Sequence, residues 1–203
     1  MQPEAAALVI HDLKNALGAL EAQLGQLEAA PGVAAARRAH RDCRELRQRA
    51  VAFLTLYALD RDLCAHCDDE SPHELLHTLA ERAPRPEGAA APVLEVDAGT
   101  PPFAFFDAHL VRLALEAALH NAWRYARHEV RLGVRAGEGY LVFRVTDDGP
   151  GPDATHGDAH STGLGSALCA AVARVHGQPG RPGRSQLSAC PGGGALFELC
   201  LAT

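Results

Sequence analysis

Leucines recur at alternating intervals of four and three residues near the start of the chain, at Leu13, Leu17, Leu20, Leu24 and Leu27. This spacing is typical of a helix with a single apolar seam. The pattern continues after Pro31 and Gly32, at Ala36, Cys43, Leu46, Ala50, Phe53 and Tyr57. It therefore predicts two helices joined as a hairpin, from about Pro3 to Ala30 and from Val33 to about Asp62.

A single pair of amphipathic helices leaves much of its apolar surface exposed to water, and such helices are marginally stable alone. We therefore expect two copies of the hairpin to pair across a two-fold axis into a four-helix bundle. The protein is thus predicted to be a homodimer.

Beyond about residue 66, short apolar stretches alternate with longer amphipathic ones. Ser71 and Pro72 are typical of a helix start, which predicts a helix over SPHELLHTLAERA after a linker at CDDESPH. Further helices are predicted from about Asp107 to Arg127 and over GLGSALCAAVARVHG, and strands over VLEVDA, FAFF, EVRLGVRA, EGYLVFRVTDD, SQLSAC and ALFELCLA. The predicted fold class is α+β: a helical hairpin in residues 1–66, then a two-layer α/β sandwich in residues 67–203.

The composition and charge of the chain narrow the classes of partner that we expect. With 203 residues, of which 47% are hydrophobic, the chain can bury a core without a membrane. No apolar run approaches the roughly 20 residues that span a bilayer, and the start resembles no signal peptide, so we expect a cytoplasmic protein with no membrane partner. The net charge of −6 disfavours nucleic acid and favours a protein partner or a small ligand.

The chain has six cysteines, which are expected to stay reduced in the absence of a secretory signal. Four lie in apolar segments and are expected in the core: Cys43, Cys169, Cys190 and Cys200. The other two, Cys64 and Cys67, form a CxxC sequence. Zinc binding or redox sensing by this pair is a weaker alternative, because no second CxxC follows at zinc spacing.

A histidine lies opposite the leucine seam of the first helix. At about 100° per residue, His11 is about 160° from Leu13, so its ring is expected to face solvent. Asn15 and Gly18 share this exposed face, and Asp12 lies at its flank. An exposed neutral ring nitrogen can act as a nucleophile or as an acid or base when a neighbour orients or deprotonates the ring, a role that Asp12 can fill.

Five strings occur in a fixed order along nearly the whole chain: HDLKN, HNAWRYA, DDGPG, STGLG and GGGALFEL. Together they resemble the H, N, G1 and G2 boxes of a two-component histidine kinase core, with an ATP-binding domain of the GHKL type shared with gyrase and the Hsp90 chaperones. The resemblance implies a dimerisation and phosphoacceptor hairpin in residues 1–66 and a catalytic ATP-binding domain in residues 67–203. It also implies autophosphorylation of His11 with ATP and Mg²⁺, followed by phosphotransfer to an aspartate of a response regulator.

The resemblance assigns the catalytic roles on the first helix. The residue after the phosphoacceptor, here Asp12, serves as the base, and Asn15 positions water for dephosphorylating the response regulator. Dephosphorylation of the response regulator is therefore a second activity that the resemblance leaves open. Because only ten residues precede His11, the input is expected from another protein, such as a separate sensor, from a region absent from this sequence, or through the CxxC linker.

The resemblance also assigns the nucleotide site. Asn121 binds Mg²⁺, Arg124 contacts phosphate, Asp147 accepts a hydrogen bond from the adenine amino group, and glycines clear space for the nucleotide. The STGLG string opens a helix whose free N–H groups suit phosphate oxygens, with its threonine as a possible helix cap. The full predicted nucleotide-binding set is Asn121, Arg124, Tyr125, Asp147, Gly149, Gly151, Thr162, Gly163, Leu164 and Gly165.

Two departures leave an alternative open. Many family members carry a second asparagine where this chain has Ala117, and the lid between Gly151 and Gly163 is short. The alternative is a histidine phosphotransferase relay protein whose GHKL-like domain does not bind ATP. A GHKL ATPase of the chaperone or gyrase type is a third reading, which would leave the helical hairpin without a role.

Overall fold

The computed structural model describes residues 3–60, 65–86, 88–152, 163–190 and 192–203. It divides into two compact units, Met1–Leu63 and Cys64–Thr203. Among the described residues, none of the helices combines the length and the apolar character that crossing a bilayer requires.

The first unit is a hairpin of helices α1 (Pro3–Ala29) and α2 (Val33–Leu59), as the heptad-like spacing predicts. A hydrogen bond of 2.8 Å from the Gln23 amide to the Asp42 carboxylate links the two helices. Buried apolar side chains are few, namely Leu20, Ala39, Ala52, Phe53 and Leu59. Two helices bury only the faces that they share, so other apolar positions stay open.

The second unit contains helices α3 (Pro72–Arg82), α4 (Ala108–Tyr125) and α5 (Leu164–Val175). Ser71 and Asp107 cap α3 and α4, because their side-chain oxygens accept the N–H groups of Glu74 and Leu110. Each cap satisfies one of the backbone donors that the first turn of a helix leaves unpaired.

The strands are β1 (Asp68–Glu70), β2 (Val93–Val96), β3 (Ala104–Phe106), β4 (Val130–Gly137), β5 (Tyr140–Asp147), β6 (Arg184–Ala189) and β7 (Ala195–Ala202). Five of them form one sheet in the order β2-β4-β5-β7-β6, and only the β2–β4 pair is parallel. The helices pack on one face of this sheet, where Leu141, Phe143 and Val145 of β5 are buried. This is the predicted two-layer sandwich.

One prediction about this region is wrong, whereas the strand predicted over FAFF is confirmed as β3. The segment read as a linker contains β1, which pairs antiparallel with β3, with Asp68 opposite Phe106. This pair forms a separate two-stranded sheet, so FAFF does not join the main sheet. Strand pairing through backbone hydrogen bonds does not require β1 to alternate apolar and polar residues. The acidic side chains of β1 therefore gave no strand pattern in the sequence.

The cysteine predictions are partly wrong. Cys169 and Cys200 are buried, whereas Cys43 is exposed and Cys190 is half-buried. Cys43 lies in the apolar series of α2, but α1 does not cover that position within the hairpin. Cys64 lies outside the described residues.

Candidate nucleotide site

A cavity of about 270 Å³ lies between α4, the first turns of α5 and the strand ends of β5, β6 and β7. This volume is near the lower end of small-molecule pockets, about 300 Å³. Helical lining residues are Ala117, Ala118, Asn121, Ala122, Tyr125, Gly165, Ser166 and Cys169. The other lining residues include Val145, Asp147, Gly151, Pro152, Gln186, Ala195 and Phe197.

Asp147 supplies the buried charged side chain of the cavity, with 9% of its surface exposed. One carboxylate oxygen accepts the N–H of Gly149 at 2.8 Å and that of Ala195 at 3.4 Å. Among the described residues, the other oxygen has no hydrogen-bond donor. A carboxylate held by backbone amides with one oxygen free can accept a hydrogen bond from a ligand amino group.

Two glycines of DDGPG serve different structural purposes. A side chain on Gly149 would place its Cβ 2.5 Å from the carbonyl oxygen of Tyr125, so only glycine fits between the end of α4 and the turn after β5. Gly151 lines the cavity with φ at +88°, a conformation that favours glycine. Gly149 therefore packs against α4 and does not itself line the cavity.

The start of α5 opens towards the cavity. Its N-cap is Gly163 in the left-handed conformation, φ 67°, and no side chain caps the first turn. Gly165 and Ser166 line the cavity, so backbone N–H groups of this turn are available to an anion. Leu164 is buried with 8% of its surface exposed. Thr162 lies outside the described residues.

The last turns of α4 divide their side chains between the cavity and the surface. Asn121 and Tyr125 line the cavity, whereas Arg124 does not and lies with its guanidinium 5.6 Å from the centre of the Tyr125 ring. The structure thus brings together five residues of the predicted set: Asn121, Tyr125, Asp147, Gly151 and Gly165.

Sequence reasoning missed other lining residues, among them Ser166, Cys169 and Phe197. Ser166 and Cys169 could have been found, because they follow the glycines of STGLG on the same helix face. The thiol of Cys169 donates to the carbonyl of Ala114 at 3.5 Å, and burial raises its pKa to about 12. This side chain is therefore a neutral part of the wall.

His11 is described within the first unit. Its side chain is 66% exposed, as predicted. Its Nδ1 atom lies 3.2 Å from the amide nitrogen of Asn15 and 3.7 Å from a carboxylate oxygen of Asp12. Nδ1 accepts a hydrogen bond from the amide only when it carries no proton, whereas the negative charge of Asp12 favours a proton on Nδ1. The two neighbours therefore favour opposite tautomers of the neutral ring.

The donor set fits an adenine nucleotide better than a metal cluster. The cavity offers a free carboxylate oxygen, apolar and aromatic walls, and a helix start for phosphate. In the described part of the chain, no three side chains of His, Cys, Asp or Glu are grouped to hold a metal. Burial, and then the charge of Asp107, raise the pKa of the Cys67 thiol, which does not favour a reactive redox centre.

Comparison with known proteins agrees with this geometry. Residues 106–203 match the family described as "Histidine kinase-, DNA gyrase B-, and HSP90-like ATPase". The second unit thus has the GHKL ATPase fold, and the chain has the fold of a histidine kinase core. No curated protein sequence matches at a significant level.

Solved structures are similar over different spans. Acinetobacter baumannii histidine kinase AdeS has a TM-score of 0.67 at 18% identity, over 95% of this chain and 97% of that one. Full-length ShkA in complex with AMPPNP has a TM-score of 0.59 at 22% identity, over 100% of this chain but 47% of that one. The ATP-binding domain of PrrB from Mycobacterium tuberculosis has a TM-score of 0.51 at 23% identity, over 67% of this chain and 96% of that one. At these identities the likeness establishes the fold.

Proposed function

We propose that this protein is a dimeric histidine kinase of a two-component system. It uses ATP to phosphorylate itself on His11 and passes the phosphoryl group to an aspartate of a response regulator. The observation that carries the proposal is the open cavity at Asp147, which has a free carboxylate oxygen on one side and the uncapped start of α5 on the other. The ATPase family of residues 106–203 supports ATP as the ligand.

The proposal gives roles to residues in and beside the cavity. Asp147 accepts a hydrogen bond from the adenine amino group, and Tyr125 offers its ring to the base. Gly151 and Gly165 leave room for the nucleotide, with Gly163 setting the start of α5. Asn121 contributes a side-chain oxygen to Mg²⁺, which keeps several waters when few protein ligands are present. Arg124, at the same end of α4, is the candidate for phosphate contact.

On the hairpin, one ring nitrogen of His11 forms a bond to the γ-phosphorus while the bond from that phosphorus to the ADP oxygen breaks. In the tautomer with a proton on Nδ1, Nε2 carries the lone pair that attacks, and Asp12 accepts the Nδ1 proton as positive charge develops on the ring. The phosphoryl group then moves to an aspartate carboxylate of a response regulator, and the histidine is restored. Asn15 orients water for the reverse, phosphatase, function.

The partners follow from the same proposal. Exposed leucines on the hairpin favour a homodimer, and a receiver domain is the expected phosphoryl acceptor. We infer that the protein acts in the cytoplasm. The competing relay function rests on Ala117, which leaves the cavity without a second asparagine. A cavity that the described side chains leave open, with a free Asp147 oxygen in its wall, favours the kinase.

Labelling with γ-phosphate-labelled ATP tests the proposal. The wild-type chain should acquire acid-labile label, and His11→Gln should lose all of it while still binding nucleotide. Asp147→Asn should lose nucleotide affinity by about tenfold to a hundredfold, because a charge-assisted hydrogen bond contributes about 1.5–3 kcal/mol. Absence of label together with absence of nucleotide binding would favour the relay protein instead.

A further inference from the structure

The second carboxylate of DDGPG faces away from the cavity and binds backbone. Asp148 accepts the N–H groups of three consecutive residues, Arg127 at 2.8 Å, His128 at 3.0 Å and Glu129 at 3.2 Å. The ring of His128 adds a contact of 3.2 Å to the other carboxylate oxygen. One side chain thus holds a whole loop.

These hydrogen bonds stabilise the ionised carboxylate. The backbone N–H of His128, together with those of Glu129 and Arg127, lowers the pKa of Asp148 strongly although burial opposes the shift. A negative charge near the carboxyl end of a helix is unfavourable for the helix dipole. The amide donors of the loop therefore outweigh an unfavourable position.

The loop bound by Asp148 connects the end of α4 at Tyr125 to the start of β4 at Val130. The last turns of α4 carry Asn121 and Tyr125 into the cavity. Gly149, the next residue after Asp148, packs so closely on the carbonyl of Tyr125 that no Cβ fits. Two adjacent residues of one turn thus hold the end of the helix that forms a cavity wall.

We propose that Asp148 is a positioning residue for nucleotide binding: by holding the loop after α4, it sets Asn121 and Tyr125 against Asp147 across the cavity. The inference rests on the proposed nucleotide binding. It assigns the two adjacent carboxylates of one motif to different tasks. Asp147 contacts the ligand, and Asp148 fixes the distance between the two walls that enclose it.

The test measures the affinity of the full chain for Mg-AMPPNP by calorimetry. Asp148→Ala removes every acceptor and should raise the Kd at least tenfold. Asp148→Asn keeps one oxygen for the amides and should restore the Kd to within about threefold of wild type. If the alanine variant does not fold, Asp148→Ser, whose hydroxyl cannot reach three amides, should show the tenfold loss.

Two controls separate positioning from stability. Asp97→Ala removes an exposed carboxylate that accepts the N–H of Gly99 at 2.9 Å after β2, away from the cavity lining, and should leave the Kd within twofold. Leu79→Val loosens the core at α3 and should lower the melting temperature without changing the Kd. A Kd within twofold of wild type in the folded alanine or serine variant would overturn the inference. Failure of the wild-type chain to bind nucleotide would instead overturn the proposed function, and the inference with it.

Discussion

The two units of the molecule differ in how completely they bury their apolar side chains. In the second unit, Phe143, Leu115 and Val172 are fully enclosed between the sheet and its helices. In the first unit, Leu17 and Leu24 of the leucine seam remain 50% and 46% exposed, although Leu20 between them is buried. The sandwich is complete in one chain, whereas the hairpin is not.

The candidate functional groups follow the same division. Asp147 is held by backbone amides at the edge of a closed core, where its orientation is fixed by the fold. His11 stands on an exposed helix face, where Asp12 and Asn15 lie beside its ring. A rigid pocket suits ligand recognition, and an accessible side chain suits exchange of a phosphoryl group between proteins.

The largest expected effect concerns the closed core. Phe143 is fully buried and meets the Phe106 ring edge-on at 5.7 Å between centroids. Phe143→Ala should destabilise the second unit by about 3–5 kcal/mol, because a large cavity remains. Denaturant unfolding followed by the fluorescence of Trp123, the only tryptophan of the chain, measures this loss.

Phe105→Ala is the matched control, because this neighbouring ring is 66% exposed. It should change the stability by less than about 0.5 kcal/mol. Equal losses in the two variants would contradict the view that the sandwich is a self-sufficient core.

The next effect concerns the incomplete core of the hairpin. If a second copy covers the seam, Leu17→Asp places a charge in that interface twice per dimer. The dimer dissociation constant should then rise on the order of a hundredfold, because unpaired buried charges are costly. Sedimentation over a range of concentrations measures it.

Phe103→Asp provides the comparison, since Phe103 is 64% exposed in the second unit but belongs to no predicted seam. It should leave the association unchanged. A wild-type chain that stays monomeric at all concentrations, or a dimer insensitive to Leu17→Asp, would contradict the proposed bundle.

These contrasts also explain which features of the fold and the site could be predicted from the sequence. The helix starts at Ser71 and Asp107 were predictable because capping is a local interaction. Asp147 was predictable as an inward residue, since Phe143 and Val145 alternate with it on β5. The β1–β3 pair was not predictable, because the partner of a polar three-residue strand is decided by distant backbone.

The contribution of β6 and β7 to the cavity lining could not be predicted from the sequence either. Phe197 and Ala195 reach the site through the register of β7 beside β5, which places Phe197 opposite Val145. Register depends on the assembled sheet and not on any short string. The same holds for Asp148, whose amide partners Arg127, His128 and Glu129 lie 21, 20 and 19 positions earlier.

A smaller expected effect concerns the pH dependence of the stability of the second unit, which the hairpin should not share. His176 is buried, and its Nε2 accepts the N–H of Asp107 at 3.0 Å while its Nδ1 lies 2.7 Å from the carbonyl of Val172. Burial lowers its pKa below the unfolded value, against the opposing effects of the Val172 carbonyl and the Asp107 charge. The neutral ring therefore stabilises the second unit fully above about pH 6.5 and progressively less as the pH falls below it.

Melting of wild type and His176→Gln between pH 5 and pH 8 tests this linkage. Between pH 7.5 and pH 5, the wild type should lose more stability than the variant, because its unfolded state gains more proton at this position than its folded state does. The far-ultraviolet circular dichroism signal of the hairpin should not follow the same pH profile. Parallel pH profiles of the two proteins would show that His176 does not titrate with unfolding.

The smallest effect lies at the exposed histidine. Removing the carboxamide with Asn15→Ala leaves the Asp12 carboxylate beside Nδ1, which favours the tautomer with a free lone pair on Nε2. Autophosphorylation should rise about twofold to threefold, equivalent to about 0.5 kcal/mol, while dephosphorylation of the response regulator falls. Gln26→Ala, which removes another exposed carboxamide from α1, should change neither rate. A slower autophosphorylation in Asn15→Ala would mean that the amide assists the attacking ring, and the competition between Asn15 and Asp12 would have to be abandoned.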